Sequence, residues 1–164
     1  MLRILFMGTP DFARDSLKAI HEKGHEIIAV ITVPDRPKGR GMKLIYSEVK
    51  EYAIENGLEV LQPDRLRGNQ EIIARIKEME PDIICVDYLQ KVINEHKSDS
   101  RAREVGEISQ RLKDLAIELN IPIFAIVQLN RQSDPYKEPS MSEIKESGDI
   151  EQDASVIMML WRTD

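Results

Sequence analysis

The amino-acid sequence predicts an α/β fold of three layers, in which helices cover both faces of a mostly parallel sheet of about six strands. Two observations support this prediction. Short apolar runs rich in Ile, Val and Leu alternate with segments whose apolar residues recur every three or four positions. The connections between the runs are also long enough to hold a helix, as a parallel crossover requires. The length of 164 residues fits a single domain over residues 1–164.

The first half of the chain contains four of the predicted strands. Each is a short apolar run bounded by turn residues, at residues 2–7, 26–33, 58–61 and 83–86. Polar residues before the intervening helices predict their N-caps, at Thr9 (with Pro10 in the first helical position), Ser47 and Asn69. The ends of the same helices are predicted at Gly24, Gly57 and Pro81.

The second half predicts one long helix and two further strands. The helix is the clearest in the chain, because spacings of three and four separate Val105, Ile108, Leu112, Leu115, Ala116 and Leu119. A continuous β-rich run at 121–127 predicts a buried strand, and residues 155–161 predict the last strand. Residues 131–142 are typical of a loop, and 142–147 of one helical turn. Right-handed crossovers favour the strand order 3-2-1-4-5 with the last strand at an edge, a Rossmann-like arrangement.

Composition and charge exclude several classes of protein. The formal net charge of −6 gives no global attraction to nucleic acid or to a membrane surface. No window approaches the ~18 apolar residues of a membrane span. The single cysteine, Cys85, allows no intramolecular disulfide, which favours a reducing, cytoplasmic compartment.

The turn Gly8-Thr9-Pro10 is the first candidate site, because it follows a strand and opens a helix. Free N–H groups and the partial positive charge of a helix N-terminus can hold a phosphate there. The turn has no Gly-x-Gly-x-x-Gly pattern, however, and Pro10 offers no N–H donor. Simple helix capping therefore explains the same residues and is the favoured interpretation.

A glycine-containing loop carries the second candidate site, made of the four cations Arg36, Lys38, Arg40 and Lys43. Such a patch could bind phosphate groups weakly and in a salt-sensitive way. The alternative is a solvated loop, which the negative net charge and the lack of interleaved aromatic residues favour.

No metal, cofactor or nucleophile site is expected. The three histidines, His21, His25 and His96, have no metal-ligand spacing with one another or with Cys85. Cys85 lies in the middle of an apolar run and is expected in the core.

Three segments of the first half resemble the N-terminal part of methionyl-tRNA formyltransferases. They are Met7-Gly8-Thr9-Pro10-Asp11-Phe12-Ala13, Pro34-Asp35-Arg36-Pro37-Lys38-Gly39-Arg40-Gly41 and Leu61-Gln62-Pro63. Their order and spacing make the resemblance specific, over about residues 1–86. It implies a Rossmann-like domain that transfers a formyl group from a folate cofactor to charged initiator tRNA, with the basic loop close to the tRNA. The catalytic Asn, His and Asp of that family lie beyond the strand at 83–86, and this sequence lacks them.

The chain departs from the formyltransferase pattern at two places. Members of that family usually have Val-Pro where this chain has Arg14-Asp15. They usually have Thr-Pro, and then Pro, where it has Ile45-Tyr46 and Glu48. Both departures replace prolines near predicted helix starts.

The second half resembles replicative DnaB-type helicases over about residues 84–164. The matching segments include Val86-Asp87-Tyr88-Leu89-Gln90, Arg103-Glu104-Val105-Gly106-Glu107-Ile108-Ser109, Gln128-Leu129-Asn130-Arg131 and Lys145-Glu146-Ser147-Gly148-Asp149-Ile150-Glu151-Gln152-Asp153-Ala154. The resemblance implies a RecA-like core that hydrolyses ATP and moves on single-stranded DNA as a hexamer.

The helicase resemblance also implies roles for individual residues. Asp87 would help to hold hydrated magnesium, Gln128 would sense the γ-phosphate, and the DNA backbone would contact Lys145, Glu146 and Gly148. The P-loop that should precede them, Gly-x-x-x-x-Gly-Lys-[Ser/Thr], is absent from the sequence, as is the catalytic Glu that lies near it. The arginine finger of that family lies beyond Asp164. Asp87 and Gln128 are therefore expected to be a vestigial nucleotide and magnesium site.

These resemblances predict a chimera whose formyltransferase-like half (1–86) meets a helicase-like half (87–164) near Val86. We expect a recombinant domain with a structural purpose, with no catalytic activity, no cofactor and no required partner, and as a monomer rather than a hexamer. The alternative is a weak nucleotide- or nucleic-acid-binding module. A working formyltransferase is nearly excluded by the missing catalytic segment.

Overall fold

The computed structural model describes residues 1–38, 43–66, 68–92, 100–129, 136–144 and 148–161. Its main sheet has five strands in the spatial order β5-β2-β1-β6-β7. They are β1 (Arg3–Gly8), β2 (Glu26–Ile31), β5 (Val60–Leu61), β6 (Ile83–Asp87) and β7 (Ile123–Ala125). The pairs β1–β2, β1–β6 and β2–β5 are parallel. The α/β class and the predicted order of the first five strands are confirmed.

The described parts of the chain contain five α-helices. They are α1 (Asp11–Glu22), α2 (Glu48–Glu55), α3 (Gln70–Met79), α4 (Arg101–Leu119) and α5 (Gly148–Asp153). Over the described residues, none of these helices is both long enough and apolar enough to cross a membrane.

The helix starts follow the predicted polar residues in two cases of three. Ser47 Oγ accepts the Lys50 N–H at 3.1 Å, and Asn69 Oδ1 accepts the Ile72 N–H at 3.1 Å, so both caps are confirmed. Thr9 does not cap α1, and that prediction is wrong. Pro10 takes the N-cap position instead, because its ψ of 164° is extended and its carbonyl already accepts the Ala13 N–H.

Contacts divide the chain into two compact units, Met1–Asp87 with Ile121–Phe124, and Tyr88–Asn120 with Ala125–Asp164. In the first unit, Ile4 and Phe6 of β1 pack in one cluster with Leu17 of α1 and Val49 of α2. Their neighbours in β1 point to the opposite face and are also buried, Leu5 completely. The strand is thus buried on both faces, as a three-layer arrangement requires.

The second unit has its own apolar core. Val105 and Ile108 of α4 pack with Ile150 of α5 and with Leu89 and Ile144. Leu89 begins a short 3-10 turn, Leu89–Lys91, and a second turn at Met141–Glu143 precedes Ile144. That second turn overlaps the helical turn predicted within 142–147.

Three predictions about strands are wrong. The predicted loop around 34–43 contains the antiparallel strands β3 (Arg36–Lys38) and β4 (Lys43–Ile45). β7 is not buried, since Phe124 is 43 % exposed. Residues 155–161 form no strand, so the sheet has five strands rather than about six. Their β-prone sequence is not sufficient, because a strand also needs a hydrogen-bonded neighbour, and among the described residues no backbone hydrogen bond joins 156–161 to one.

Candidate site at the switch point of the sheet

The order in which the chain adds strands to the sheet reverses between β1 and β6. From β1 it continues to β2 and β5 on one side, and from β6 it continues to β7 on the other. Gly8 and Asp87, the last residues of β1 and β6, are register partners. Ligands of open α/β sheets bind outside the carboxyl ends of the strands at such a point. The two predicted site residues Gly8 and Asp87 are therefore neighbours in the expected place.

Gly8 is required by close packing. A Cβ added there would lie 2.7 Å from Phe6 Cε1, 3.0 Å from Ala13 Cβ and 3.3 Å from the Asp87 carbonyl oxygen. A side chain at this position would have to push β1, α1 and β6 apart. The glycine thus permits the tight turn from β1 into α1, whether or not a ligand binds there.

Three hydroxyl groups lie beside the turn. Thr32 Oγ1, just after β2, is 2.9 Å from Ser47 Oγ and donates a longer bond to Thr9 Oγ1 at 3.5 Å. Thr32 is buried, and Ser47 also caps α2. These hydroxyls satisfy one another, so the cluster holds the turn and the start of α2 in place.

Asp87 is the unusual residue of this site. Its side chain is only 3 % exposed, and neither carboxylate oxygen has a hydrogen-bond partner among the described residues. Burying a carboxylate without donors is energetically unfavourable. A carboxylate in this position does not help to stabilise the fold. It is better explained as a group that serves a function in another protein.

The magnesium that the helicase resemblance implies does not fit the residues around Asp87. Both carboxylate oxygens are closed off from solvent, with less than 1 Å² exposed each. No group of three or more His, Cys, Asp or Glu side chains that could hold a metal occurs in the part of the chain that the structure describes.

The start of α1 offers few donors to an anion. The Phe12 N–H donates to Asp11 Oδ1 at 2.9 Å, and the Ala13 and Arg14 N–H groups donate to the Pro10 carbonyl. The buried Asp87 carboxylate beside Gly8 would also repel a phosphate. Both features argue against a phosphate site at the turn, and the close packing around Gly8 explains the turn without a ligand.

The four cations of the basic loop are only partly described. The backbones of Arg36, Lys38 and Lys43 lie in the hairpin of β3 and β4, and Arg40 lies outside the described residues. Whether this loop binds phosphate groups stays a prediction.

A polar network just before the hairpin was not predicted. Lys50 Nζ donates to Asp35 Oδ2 at 2.5 Å and to Gln62 Oε1 at 2.7 Å, and Gln62 Nε2 donates to Asp35 Oδ1 at 2.9 Å. Hydrogen bonds from Gln62 and Lys50 lower the pKa of Asp35. Asp35 and Gln62 lie in two of the segments that carry the formyltransferase resemblance. Their shared membership of that pattern is a signal that could have predicted their contact. Lys50 gave no such signal.

The predicted helicase-type contacts fall in the second unit or outside the described residues. Gln128 is exposed, and its backbone N–H and carbonyl are held by the buried side chain of Gln90, at 3.3 and 3.4 Å. Gly148 opens α5 and is exposed. Lys145 and Glu146 lie outside the described residues. No sequence pattern indicated the role of Gln90.

Cys85 lies in β6 and packs against the cluster of the first unit, half-buried, as expected of a core residue. Burial raises the pKa of its thiol to about 11. At pH 8 this shift should lower the thiolate fraction about a hundredfold relative to an ordinary cysteine. We therefore expect alkylation by iodoacetamide at pH 8 to be slow in the native protein and fast in urea. Equal rates in the two conditions would contradict the position of Cys85 in the core.

Comparisons with known proteins support two different relationships along one chain. The family model described as DnaB-like helicase C terminal domain matches residues 53–164. The N-terminal part is similar to methionyl-tRNA formyltransferases. The protein of Caldanaerobacter subterraneus subsp. tengcongensis is 46 % identical over 94 residues, which are 57 % of this chain and 30 % of that protein. The protein of Geobacter metallireducens is 53 % identical over 85 residues, 52 % of this chain and 27 % of that protein. The chain thus spans less than a third of these relatives.

Two solved structures share the fold. One is described as an ATPase domain, with a TM-score of 0.54 and 21 % identity over 98 % of this chain and 69 % of the other. The other is a DnaB-like replicative helicase studied for its interactions with primase, with a TM-score of 0.52 and 21 % identity over 93 % and 45 % of the two chains. Together with the formyltransferase matches, these findings confirm a two-part chimera.

Proposed function

The chain belongs to the family of DnaB-like helicase C terminal domains, and from this premise we propose that it is a recombinant α/β domain with a structural purpose and no catalytic activity. One observation carries the proposal. β6, the strand in which the two resemblances meet, pairs in continuous register with β1 of the formyltransferase-like part, from Ile4↔Ile83 to Gly8↔Asp87. A join inside a shared strand preserves the geometry of the sheet, as a deliberate recombination of fragments would require.

In this proposal the chain has no activity because each part takes the place of the segment that carries the other family's catalytic residues. The segment before β6 that would carry a helicase P-loop is formyltransferase-like, and the turn after β1 reads Gly8-Thr9-Pro10. Helicase-like sequence likewise stands after β6, where the catalytic Asn, His and Asp of formyltransferases would be. Each part therefore displaces the chemistry of the other.

The departures from the formyltransferase pattern support deliberate adjustment. Arg14 donates to Glu48 Oε2 and to Asp15 Oδ1, both at 2.9 Å, so one replaced position contacts two others. Tyr46, a fourth, lies under Lys50 Nζ, which is 4.1 Å from its ring centroid. The exposed ion pair between Arg14 and Glu48 contributes little stability by itself, but it connects α1 to the start of α2.

The proposal also covers the cellular compartment, the partners and the oligomeric state of the protein. A single, half-buried cysteine is compatible with a reducing cytoplasmic compartment. The folded chain requires no partner or cofactor, and a monomer is favoured over a hexamer.

A second candidate function is weak nucleotide or nucleic-acid binding, and the unpartnered Asp87 carboxylate is the observation that favours it. A donor-bearing ligand would satisfy this group. Its closed oxygens and the scarcity of N–H donors at the turn make this candidate the weaker one.

Thermal unfolding with and without Mg-ATP separates the two functions. We expect one cooperative transition whose midpoint is the same in both conditions, since a ligand raises the midpoint only if it binds the native state. An upward shift that is absent from the Asp87→Asn variant would establish nucleotide binding at the switch point. Assays of ATP hydrolysis and of formyl transfer from a folate donor should both give no turnover.

A further inference from the structure

The hairpin formed by β3 and β4 stands apart from the main sheet. In the described part of the chain, its two strands pair with each other and with no strand of the five-stranded sheet. Among the described residues, no backbone hydrogen bond joins the hairpin to another element either. Because an isolated two-stranded hairpin is at best marginally stable in water, contacts outside its own strands have to support it.

Both ends of the hairpin contact one ammonium group. Asp35 precedes β3, and its carboxylate accepts a hydrogen bond from Lys50 Nζ at 2.5 Å. Tyr46 follows β4, and the centre of its ring lies 4.1 Å from the same nitrogen, within reach of a cation–π interaction. Lys50 itself belongs to α2, outside the hairpin. One side chain thus contacts the residue before the hairpin and the residue after it.

The surroundings of Lys50 make these contacts stronger than those of a surface lysine. Its side chain is 12 % exposed and that of Asp35 is 21 % exposed, so water and salt screen the pair only partly. Gln62, just after β5, accepts a second bond from Lys50 Nζ at 2.7 Å and donates to Asp35 Oδ1 at 2.9 Å. Gln62 therefore binds both charged partners and fixes them relative to β5.

The chain next to these ends is held in the first unit by other bonds. Thr32 Oγ1 and Ser47 Oγ lie 2.9 Å apart, and the Val33 carbonyl accepts from Gln62 Nε2 at 2.6 Å. Neither bond involves the ammonium group of Lys50. Loss of the contacts of Lys50 would therefore release the hairpin and leave the segments that carry it in place.

We propose that Lys50 is a clamp that holds the hairpin of β3 and β4 on the first unit, and that the hairpin opens as a separate local unit when the clamp is removed. Local opening of this kind occurs where few long-range contacts support a segment. The backbones of Arg36, Lys38 and Lys43 are thereby fixed or released together. The clamp goes beyond the structural purpose proposed above, because it needs neither a ligand nor a partner.

Amide hydrogen exchange of the whole chain, followed by NMR, tests the clamp. Lys50→Met keeps a long, flexible side chain and removes the charge and the donors. The amides of β3 and β4 should exchange about tenfold to a hundredfold faster than in the wild type, as expected for the loss of a hydrogen bond between charged groups. The amides of β1, β2 and β6 should keep their wild-type rates.

Two further variants complete the experiment. Asp35→Ala removes the contact at one end of the hairpin and should also accelerate exchange in β3 and β4 alone. Lys18→Met is the matched control, since Lys18 lies on α1 of the same unit and its ammonium group is 3.8 Å from Glu22 of the same helix. Its hairpin amides should exchange at the wild-type rate.

Three results would overturn the proposal. The first is a hairpin whose amides exchange equally fast in the wild type and in Lys50→Met, including the case in which they are already unprotected in the wild type. The second is equal acceleration in the hairpin and in the main sheet, since the hairpin would then open only with the whole unit. The third is acceleration of the hairpin in Lys18→Met as well. Where Lys50→Met does not fold, Asp35→Ala decides by the same criteria.

Discussion

Replacing Asp87 by asparagine should stabilise the protein, by about 1–3 kcal/mol at pH 7. The carboxylate is 3 % exposed, and neither oxygen accepts a hydrogen bond from a described residue. Asparagine has almost the same shape and carries no charge, so the variant exchanges a buried charge for a neutral amide whose desolvation costs less, and it creates no cavity. Urea unfolding should give a higher midpoint with an unchanged slope, because the surface exposed on unfolding does not change.

The matched control is Asp82→Asn. Asp82 precedes the same strand at its other end, is exposed, and accepts the Arg3 N–H at 2.7 Å. An asparagine oxygen can accept that bond as well, so its free energy of unfolding should change by at most about 0.5 kcal/mol. If Asp87→Asn were instead destabilised, Asp87 would have a donor that holds its charged form, and the vestigial interpretation of this residue would be wrong.

Much of the first unit was predictable from the sequence because its signals are local. The N-caps at Ser47 and Asn69 each depend on one side chain and the N–H three residues later. The strand order 3-2-1-4-5 follows from the alternation of strands and helices together with the handedness of crossovers. The position of Asp87 at the switch point is a consequence of that order.

What the sequence did not predict depends on neighbours in space. Residues 155–161 have the composition of a strand, yet no strand forms, because pairing requires a second segment at the right distance. The bonds of Lys50 to Asp35 and Gln62 join residues 12 to 15 positions apart, which no periodicity predicts. The burial of Asp87 is likewise a property of the residues around it.

Gly8→Ala should be the most damaging small substitution at the switch point, with a loss of about 1–3 kcal/mol of stability. The new methyl group would lie 2.7 Å from Phe6 Cε1, closer than a Cβ approaches another atom in folded proteins, and 3.0 Å from Ala13 Cβ, which is also unusually tight. Neither neighbour can move easily, because Phe6 is 1 % exposed and Ala13 is fully buried. The midpoint of urea or thermal unfolding should fall accordingly.

Gly148→Ala separates this packing effect from the general effect of removing a glycine. A Cβ at Gly148, the first residue of α5, would meet no atom of the described residues within 4 Å. Because alanine restricts the unfolded chain more than glycine does, the stability of this variant should stay the same or rise by up to about 1 kcal/mol. Equal and small effects at both positions would mean that β1, α1 and β6 are not in close contact at Gly8. The turn would then have room for a side chain, and the argument that packing alone requires a glycine there would fail.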